Sequence, residues 1–179
     1  MLLFGVSEPF LEECLSVVSR TSRVLDGLLR GLPEVLTSAT EGPGTWSPYV
    51  VIRHLIFTER TEWIPRLTII QERGTERAFD PFDPDAQFRE GGGKSLSELL
   101  DEFRELRSDS VARLLAMNLT AEQLTKQGMH PALGVVTARQ LLATWASHDL
   151  SHIMQISRVM ARRYKSEVGP WLAYQTVMK

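Results

Sequence analysis

Four long stretches of this chain repeat apolar residues with the period of an α-helix, and this pattern limits the possible folds more than any other feature. Each stretch begins at a helix-capping signal: Ser7 before Pro9, Ser47 before Pro48, Ser95 with Glu98, and Thr137 with Gln140. The predicted helices end near Gly31, Arg73, Leu115 and Tyr164. No stretch has a convincing strand pattern. These features predict an all-α four-helix bundle.

The connections between these helices differ in length. Pro65 should kink the second helix, because proline removes a backbone donor and clashes with the preceding turn. Residues 34 to 46 form a loop, and residues 74 to 94 form a long crossover between the second and third helices. A crossover of this length often lies over a site, but it can equally be a plain connector. We read residues 130 to 134 as a turn before the fourth helix.

The length and charge of the chain exclude several classes of protein. A chain of 179 residues is most simply one domain, 1–179, with a substantial core. The net charge of -2 and the lack of a long basic run argue against binding of nucleic acid. No uncharged apolar run approaches the ~20 residues of a membrane span, and the N-terminus lacks the basic region of a signal peptide. We therefore expect a cytoplasmic protein without membrane partners, and the single cysteine, Cys14, fits a reducing compartment.

Three histidines are the candidates for chemistry. His148 and His152 lie four residues apart, so they share one helix face, and this face is the apolar seam of the fourth helix. His54 lies on the apolar seam of the second helix. Buried imidazoles need partners, and either hydrogen bonds in the core or one shared metal ion could supply them. Three imidazoles favour Zn²⁺, Ni²⁺ or Fe²⁺ over hard cations and leave one position for water or substrate.

Several neighbouring residues are candidates for a supporting role. Asp149 lies about 100° around the helix from His148, so it should support a neighbouring group, bridge two helices or lie partly in solvent. Gln155 follows His152 by three residues on the same seam. Tyr49, Trp145 and Gln155 either line the open side of the site or pack in the core, and the same alternatives apply to Trp46.

Two other candidates do not fit among the metal ligands. Glu59 lies five residues after His54, about 140° around the helix, and should point elsewhere. His130 precedes the fourth helix, and we interpret it as a residue of a loop or pocket rim. The paired Glu-x-x-His motif of di-iron bundles is absent from the sequence, which argues against a ferritin-like oxidase.

Four motifs together resemble those of the DinB-like (YfiT-like) superfamily of metalloenzymes. They are Trp46-Ser-Pro, His54 with Glu59, His130-Pro-x-Leu-Gly-x-Val-Thr137, and His148-Asp149-Leu-x-His152-Ile-x-Gln155. The resemblance covers about residues 8 to 165. It implies a bundle with up-down-down-up helices, often a homodimer, and a divalent metal ion held by His54, His148 and His152.

Two hypotheses about function follow from these observations. The first is a divalent-metal-dependent enzyme that acts on a small molecule, because the resembled superfamily includes thiol-dependent transferases, isomerases and hydrolases. Within this class we favour transfer to or from a low-molecular-weight thiol over hydrolysis, mainly because of the superfamily resemblance, and also because no positioned general base is visible in the sequence. The alternative is a non-catalytic stress-related or interaction bundle with a structural or vestigial metal site.

Overall fold

The helices begin where the sequence supplies caps. In the computed structural model, which describes residues 8–89 and 93–178, the hydroxyl of Ser47 accepts a hydrogen bond from the Val50 amide at 3.3 Å. Ser95 and Thr137 each form a complete capping box, with Glu98 and Gln140 as the returning side chains.

The secondary structure is mostly helical, with a short β-hairpin before the last long helix. In chain order, the elements are α1 (Pro9–Leu29), α2 (Glu34–Thr37), α3 (Pro48–Thr61), α4 (Trp63–Arg73), α5 (Ala86–Arg89), α6 (Leu96–Ala116), α7 (Ala121–Thr125), β1 (Gln127–His130), β2 (Gly134–Thr137) and α8 (Ala138–Arg162). Short 3₁₀ helices occupy Gly74–Glu76, Gly169–Tyr174 and Thr176–Met178. Among the described helices, none has both the length and the apolarity needed to cross a bilayer.

The four bundle helices are α1, α3 continued by α4, α6, and α8, and they run up, down, down and up. Contacts between the helices establish these directions. Helices α3 and α6 are parallel, because residue numbers rise together in the pairs Tyr49–Lys94 and Glu59–Arg107. Helices α1 and α8 are parallel for the same reason, in the pairs Glu8–Arg139 and Thr21–Asp149. Helices α1 and α6 are antiparallel, because the numbers run in opposite directions in the pairs Val18–Arg107 and Arg30–Asp101. The predicted four-helix bundle, with its crossover between the second and third helices, is confirmed.

The apolar core is divided into two clusters by a layer of buried polar residues. One cluster includes Val18, Trp63, Leu114 and Trp145, and the other includes Leu25, Ile56, Phe103 and Ile156. Between them, every bundle helix contributes to a polar layer made of Thr21, Ser22, Thr58, Glu59, Arg107, Ser110 and Asp149. The candidate histidines of α8 lie at the same level, since residues 148 and 152 fall between Trp145 and Ile156.

The break in the second bundle helix lies at Glu62, three residues before Pro65. Proline is tolerated within the first turn of a helix, where its missing amide hydrogen needs no partner, so α4 begins at Trp63 and accommodates Pro65. At the start of α1, the cap in the structure is Glu8, whose carboxylate accepts a hydrogen bond from the Leu11 amide at 2.8 Å. Ser7, the predicted cap, lies outside the described residues.

The expectation that the chain contains no strand is wrong, because β1 and β2 form an antiparallel hairpin that brackets the predicted turn. Each strand has only four residues, which is too short to show a clear alternation of apolar and polar side chains. The hairpin also holds the long crossover, since the Phe79 amide donates to the Met129 carbonyl at 2.9 Å. Gly134 begins β2 with a φ of 75°, a conformation that favours glycine.

Gly128 in β1 packs tightly against α4 and the crossover, and we expect Gly128→Ala to destabilise the protein by about 1–3 kcal/mol. A Cβ atom at this position would lie 2.7 Å from Ile70 Cγ1 and 3.0 Å from Phe79 Cζ. The matched control is Gly27→Ala in α1, where a Cβ meets nothing within 4 Å. That control should stabilise the protein by about 0.5–1 kcal/mol, because alanine favours a helix over glycine.

Urea denaturation of both glycine variants provides the measurement. Equal midpoints for Gly128→Ala and the wild type would show that the hairpin can move away from α4 without cost.

Candidate metal centre

Three imidazoles from two helices converge at one point between α3 and α8. The Nε2 atom of His148 lies 3.2 Å from Nε2 of His54 and 3.1 Å from Nε2 of His152. The candidate ligand atoms of the three residues all lie within 4.8 Å of one another. His54 is buried, and the other two histidines are half-buried. The predicted spacing on α8 and the position of α3 beside it together produce this cluster.

The three ring nitrogens fit a divalent cation. Two ligands of a tetrahedral ion with bonds of about 2.0–2.1 Å lie about 3.3 Å apart, close to the separations of His148 Nε2 from the other two nitrogens, 3.2 Å and 3.1 Å. Hydrogen bonds alone satisfy the cluster poorly, because His148 Nε2 holds either one proton or one lone pair and faces two nitrogens at once. A shared cation would satisfy all three nitrogens. Among the histidines, cysteines and acids of the described residues, His54, His148 and His152 form the one group that could hold a metal ion.

Gln155 orients one of the three rings. Its Oε1 atom lies 2.8 Å from Nδ1 of His152, and an amide oxygen can only accept a hydrogen bond. The proton of a neutral His152 is therefore on Nδ1, and the lone pair of Nε2 faces the cluster. A hydrogen bond to the outer nitrogen of a ligand histidine is a common way to fix its tautomer in metal sites.

The surroundings of the cluster favour the neutral forms of His148 and His152. Burial, followed by the nearby His152, His54 and Arg107, lowers the pKa of His148 to about 3. Burial also lowers the pKa of His152, against the opposing effects of Gln155 and Asp149. Neutral imidazole is the form that binds a metal ion, so the lowered pKa values of His148 and His152 favour metal binding.

Aromatic side chains pack around the three rings. The indole of Trp46 stacks on His152 with ring centroids 6.4 Å apart and tilts against His54 at 4.8 Å. Phe82 from the crossover meets His54 edge-on at 5.9 Å, and Trp63 meets His148 edge-on at 5.0 Å. The crossover therefore contacts the candidate site through Phe82. Of the two interpretations of residues 74 to 94, the contact favours a segment that lies over the site.

A cavity of about 350 Å³ opens beside His54 and His148. Its walls are mostly apolar and aromatic, with a few polar groups among them. The other lining residues are Thr58, Glu62, Trp63, Arg66, Phe79, Phe82, His130, Leu133, Val136, Gln140, Leu141 and Thr144. A concave apolar pocket with few polar groups is typical of a small-molecule site.

Comparison with known proteins places the chain in a family. A sequence model of the DinB superfamily matches residues 18–156. The chain belongs to the DinB superfamily. The solved structure of YfiT from Bacillus subtilis, described as a probable metal-dependent hydrolase with an unusual four-helix bundle topology, is similar to it with a TM-score of 0.75. The two chains are 21% identical, and the match covers 89% of this chain and 90% of YfiT. At this identity the likeness shows the fold alone. A comparison with curated proteins found no match to this DinB chain.

None of the four predicted supporting residues, Asp149, Gln155, Tyr49 and Trp145, lines the cavity of this DinB protein. The Tyr49 hydroxyl donates to the Lys94 carbonyl at 2.7 Å, and Tyr49 does not line the cavity that contains His54. Trp145 is buried behind the site and stacks on Trp63 with centroids 5.7 Å apart. Trp145 belongs to one apolar cluster of the core, and Tyr49 packs against the other.

Asp149 is fully buried and binds groups on two other helices. Its Oδ2 atom accepts a hydrogen bond from the Thr21 hydroxyl at 2.6 Å, and its Oδ1 atom accepts one from Arg107 Nη2 at 3.0 Å. Of the predicted roles for Asp149, the structure therefore shows a bridge between helices. Arg107 also binds Glu59 Oε1 with Nε at 2.9 Å and Nη2 at 2.7 Å. Burial raises the pKa of Glu59 even though Arg107 acts to lower it.

Sequence reasoning missed three residues of this arrangement in the DinB chain. Arg107 lies four residues after Phe103 and seven before Leu114 on the apolar face of α6, and this position was a signal that it is buried. Glu62 and Arg66 line the cavity as an ion pair with a separation of 2.7 Å. Their spacing of four residues was visible, but their exposure to the cavity depends on the break at Glu62.

Proposed function

We propose that this protein is a divalent-metal-dependent enzyme that acts on a small molecule, with His54, His148 and His152 as the metal ligands. The observation that supports this most strongly is that two of the three histidines belong both to the cluster and to the wall of the 350 Å³ cavity. A molecule bound in the cavity would be in contact with the metal site. A purely structural site would be expected to be closed by a fourth protein ligand.

Different residues would have different roles in such a metal site. A divalent ion held by the three imidazoles would lower the pKa of a water or thiol that it binds. Gln155 holds the ring of His152 in the binding tautomer. Trp46, Trp63 and Phe82 surround the rings with apolar surface, which excludes bulk water and strengthens electrostatic interactions within the site.

We propose that the reaction is transfer to or from a low-molecular-weight thiol. Thiolate is a good nucleophile once its proton is lost, so this chemistry needs little from the protein besides the metal ion and an apolar pocket. Glu62 supplies the one carboxylate among the described residues that line the cavity, and this carboxylate is paired with Arg66. An acid held in an ion pair is poorly suited to remove a proton from water.

Hydrolysis is the second candidate, and two observations favour it. YfiT, a protein with the same fold, is described as a probable metal-dependent hydrolase. Glu62 lines the cavity together with His54 and His148, and burial raises the pKa of its carboxylate against the effect of Arg66. A raised pKa brings a carboxylate closer to the range useful for a general base.

An activity assay separates these reactions. Protein loaded with Zn²⁺, Ni²⁺ or Fe²⁺ is incubated with bacillithiol, mycothiol or glutathione and the electrophile monochlorobimane, and separately with 4-nitrophenyl acetate. We expect metal-dependent conjugation of a thiol that disappears in His54→Ala. Ester hydrolysis without thiol transfer, lowered roughly 100-fold or more by Glu62→Gln, would establish the hydrolase instead. If His54→Ala keeps both activities, the metal has no catalytic role.

The assembly and location of the protein stay predictions. The superfamily resemblance favours a homodimer, and the sequence favours the cytoplasm.

A further inference from the structure

His130 lies in the wall of the same cavity as His54 and His148 but takes no part in the histidine cluster. It ends β1 at the turn of the hairpin, and its half-buried ring meets Phe79 edge-on with centroids 6.1 Å apart. The cavity is lined by His130, His54 and His148 together. A single small molecule in this space would therefore contact both the metal site and the hairpin turn.

The backbone of the turn fixes the tautomer of His130. The amides of Ala132 and Leu133 both donate to Nδ1 of the ring, each at 3.1 Å. Nδ1 must therefore carry a lone pair, and in the neutral ring the proton is on Nε2. Within residues 8–89 and 93–178, Nε2 has no hydrogen-bond partner. Burial and the charge of Arg66 lower the pKa of His130, which favours the neutral ring.

The rest of the cavity favours a neutral acceptor over an anion. Arg66, the cation nearest this part of the wall, is neutralised by Glu62 at 2.7 Å and also donates to the Asp80 carbonyl at 3.4 Å. Its guanidinium stacks over Phe79 at 5.2 Å. Apolar side chains such as Leu133 and Val136 complete the wall. A carboxylate would lose its hydration here without gaining an unpaired cation, whereas a carbonyl loses less.

We infer that His130 determines specificity by donating a hydrogen bond from Nε2 to a neutral carbonyl-type acceptor at the end of an apolar substrate. The other end of that substrate carries the group that reacts at His54, His148 and His152, so this inference rests on the proposed function. His130 is a positioning residue in this scheme. The substrate class is a small apolar molecule with a ketone, ester or amide remote from its reacting group.

Two substitutions separate the donor of His130 from its role in the turn. In His130→Asn, the side-chain oxygen takes the place of Nδ1 and can still accept from the Ala132 amide, as asparagine commonly does in turns. That variant lacks the donor at the position of Nε2. In His130→Gln, the longer side chain can bring an amide NH₂ to the position of Nε2, so the donor is kept. Circular dichroism and the Co²⁺ content of each variant check that the fold and the metal site persist.

The probes are a series of ω-mercapto methyl ketones of increasing chain length. Each is paired with an alkanethiol in which a methyl group replaces the carbonyl oxygen. Binding to Co²⁺-loaded protein is followed by the sulfur-to-cobalt charge-transfer absorption. We expect the wild type to bind at least one ketone roughly 10-fold more tightly than its partner, as one hydrogen bond would give. His130→Asn should lose this preference, and His130→Gln should retain most of it.

The outcomes distinguish this inference from the proposed function. If no thiol produces the absorption band, the proposed function is wrong, and the inferred role of His130 is wrong as well. If all thiols bind but the preference is absent from the wild type, or is equal in the wild type and His130→Asn, only the role of His130 is overturned. A preference for ω-mercapto carboxylates over the ketones would also overturn it.

Discussion

Replacing His148 with alanine is expected to abolish stoichiometric binding of a divalent metal ion. Nε2 of His148 is the atom that both other ring nitrogens approach, at 3.2 Å and 3.1 Å. Loss of a residue that only orients a ligand weakens metal binding roughly 10- to 100-fold, so loss of the central ligand should weaken it by about 100-fold or more. The measurement is elemental analysis of untagged protein after incubation with Zn²⁺, Ni²⁺ or Fe²⁺ and desalting.

Two further variants show whether the loss is specific. Gln155→Leu removes only the partner of His152 Nδ1, so it should weaken binding roughly 10- to 100-fold while one ion per chain still binds at high metal concentration. His130→Asn removes the fourth histidine and should keep one ion per chain with unchanged affinity. If His148→Ala retains one tightly bound ion, the assignment of the three ligands is wrong.

Replacing Arg107 with methionine is expected to destabilise the protein by about 3–5 kcal/mol, because two buried carboxylates would lose their shared cation. Arg107 is 1% exposed and Asp149 is 0% exposed. The guanidinium binds both carboxylates and the Val18 carbonyl at 2.7 Å, and it lies over the rings of Phe103 and Trp145. Methionine fills a similar volume, so the expected loss is mainly electrostatic. The measurement is the free energy of unfolding in urea.

Two controls isolate the electrostatic contribution. Arg104→Met on the same helix alters an exposed ion pair with Asp101 and should change stability by less than about 0.5 kcal/mol. Glu59→Gln keeps an acceptor for Arg107 and leaves one cation with one carboxylate, so it should cost far less than Arg107→Met. If Arg107→Met is as stable as the wild type, the polar layer is not a coupled ionic network.

The helices could be predicted from the sequence because their signals are local. Ser47, Ser95 and Thr137 are caps within three residues of their partners, and the apolar seams need no knowledge of the tertiary fold. The hairpin was missed because pairing of residues 127–130 with 134–137 depends on contacts with α4 and with the crossover around Phe79. The break at Glu62 was placed at Pro65 because the sequence marks the proline and not the turn that adapts to it.

The candidate site could be predicted only in part for the same reason. The histidine spacing on α8 and the seam position of His54 are local patterns, and the structure brings these three residues together. The network of Arg107 joins α1, α3, α6 and α8, so it depends on which helices are neighbours in the bundle. The cavity also needs side chains from the crossover and the hairpin, such as Phe82 and His130, whose positions no helical period could specify.

The layer of buried polar side chains also dictates how the helices align along the bundle axis. Sliding α8 by one turn, about 5.4 Å, would move the Asp149 carboxylate out of reach of Thr21 and Arg107 and towards one of the apolar clusters. Apolar contacts alone would tolerate such a shift much better, since one aliphatic side chain can replace another. The buried ion pairs therefore favour one alignment of α8 along the bundle axis, and this alignment places His148 and His152 beside His54.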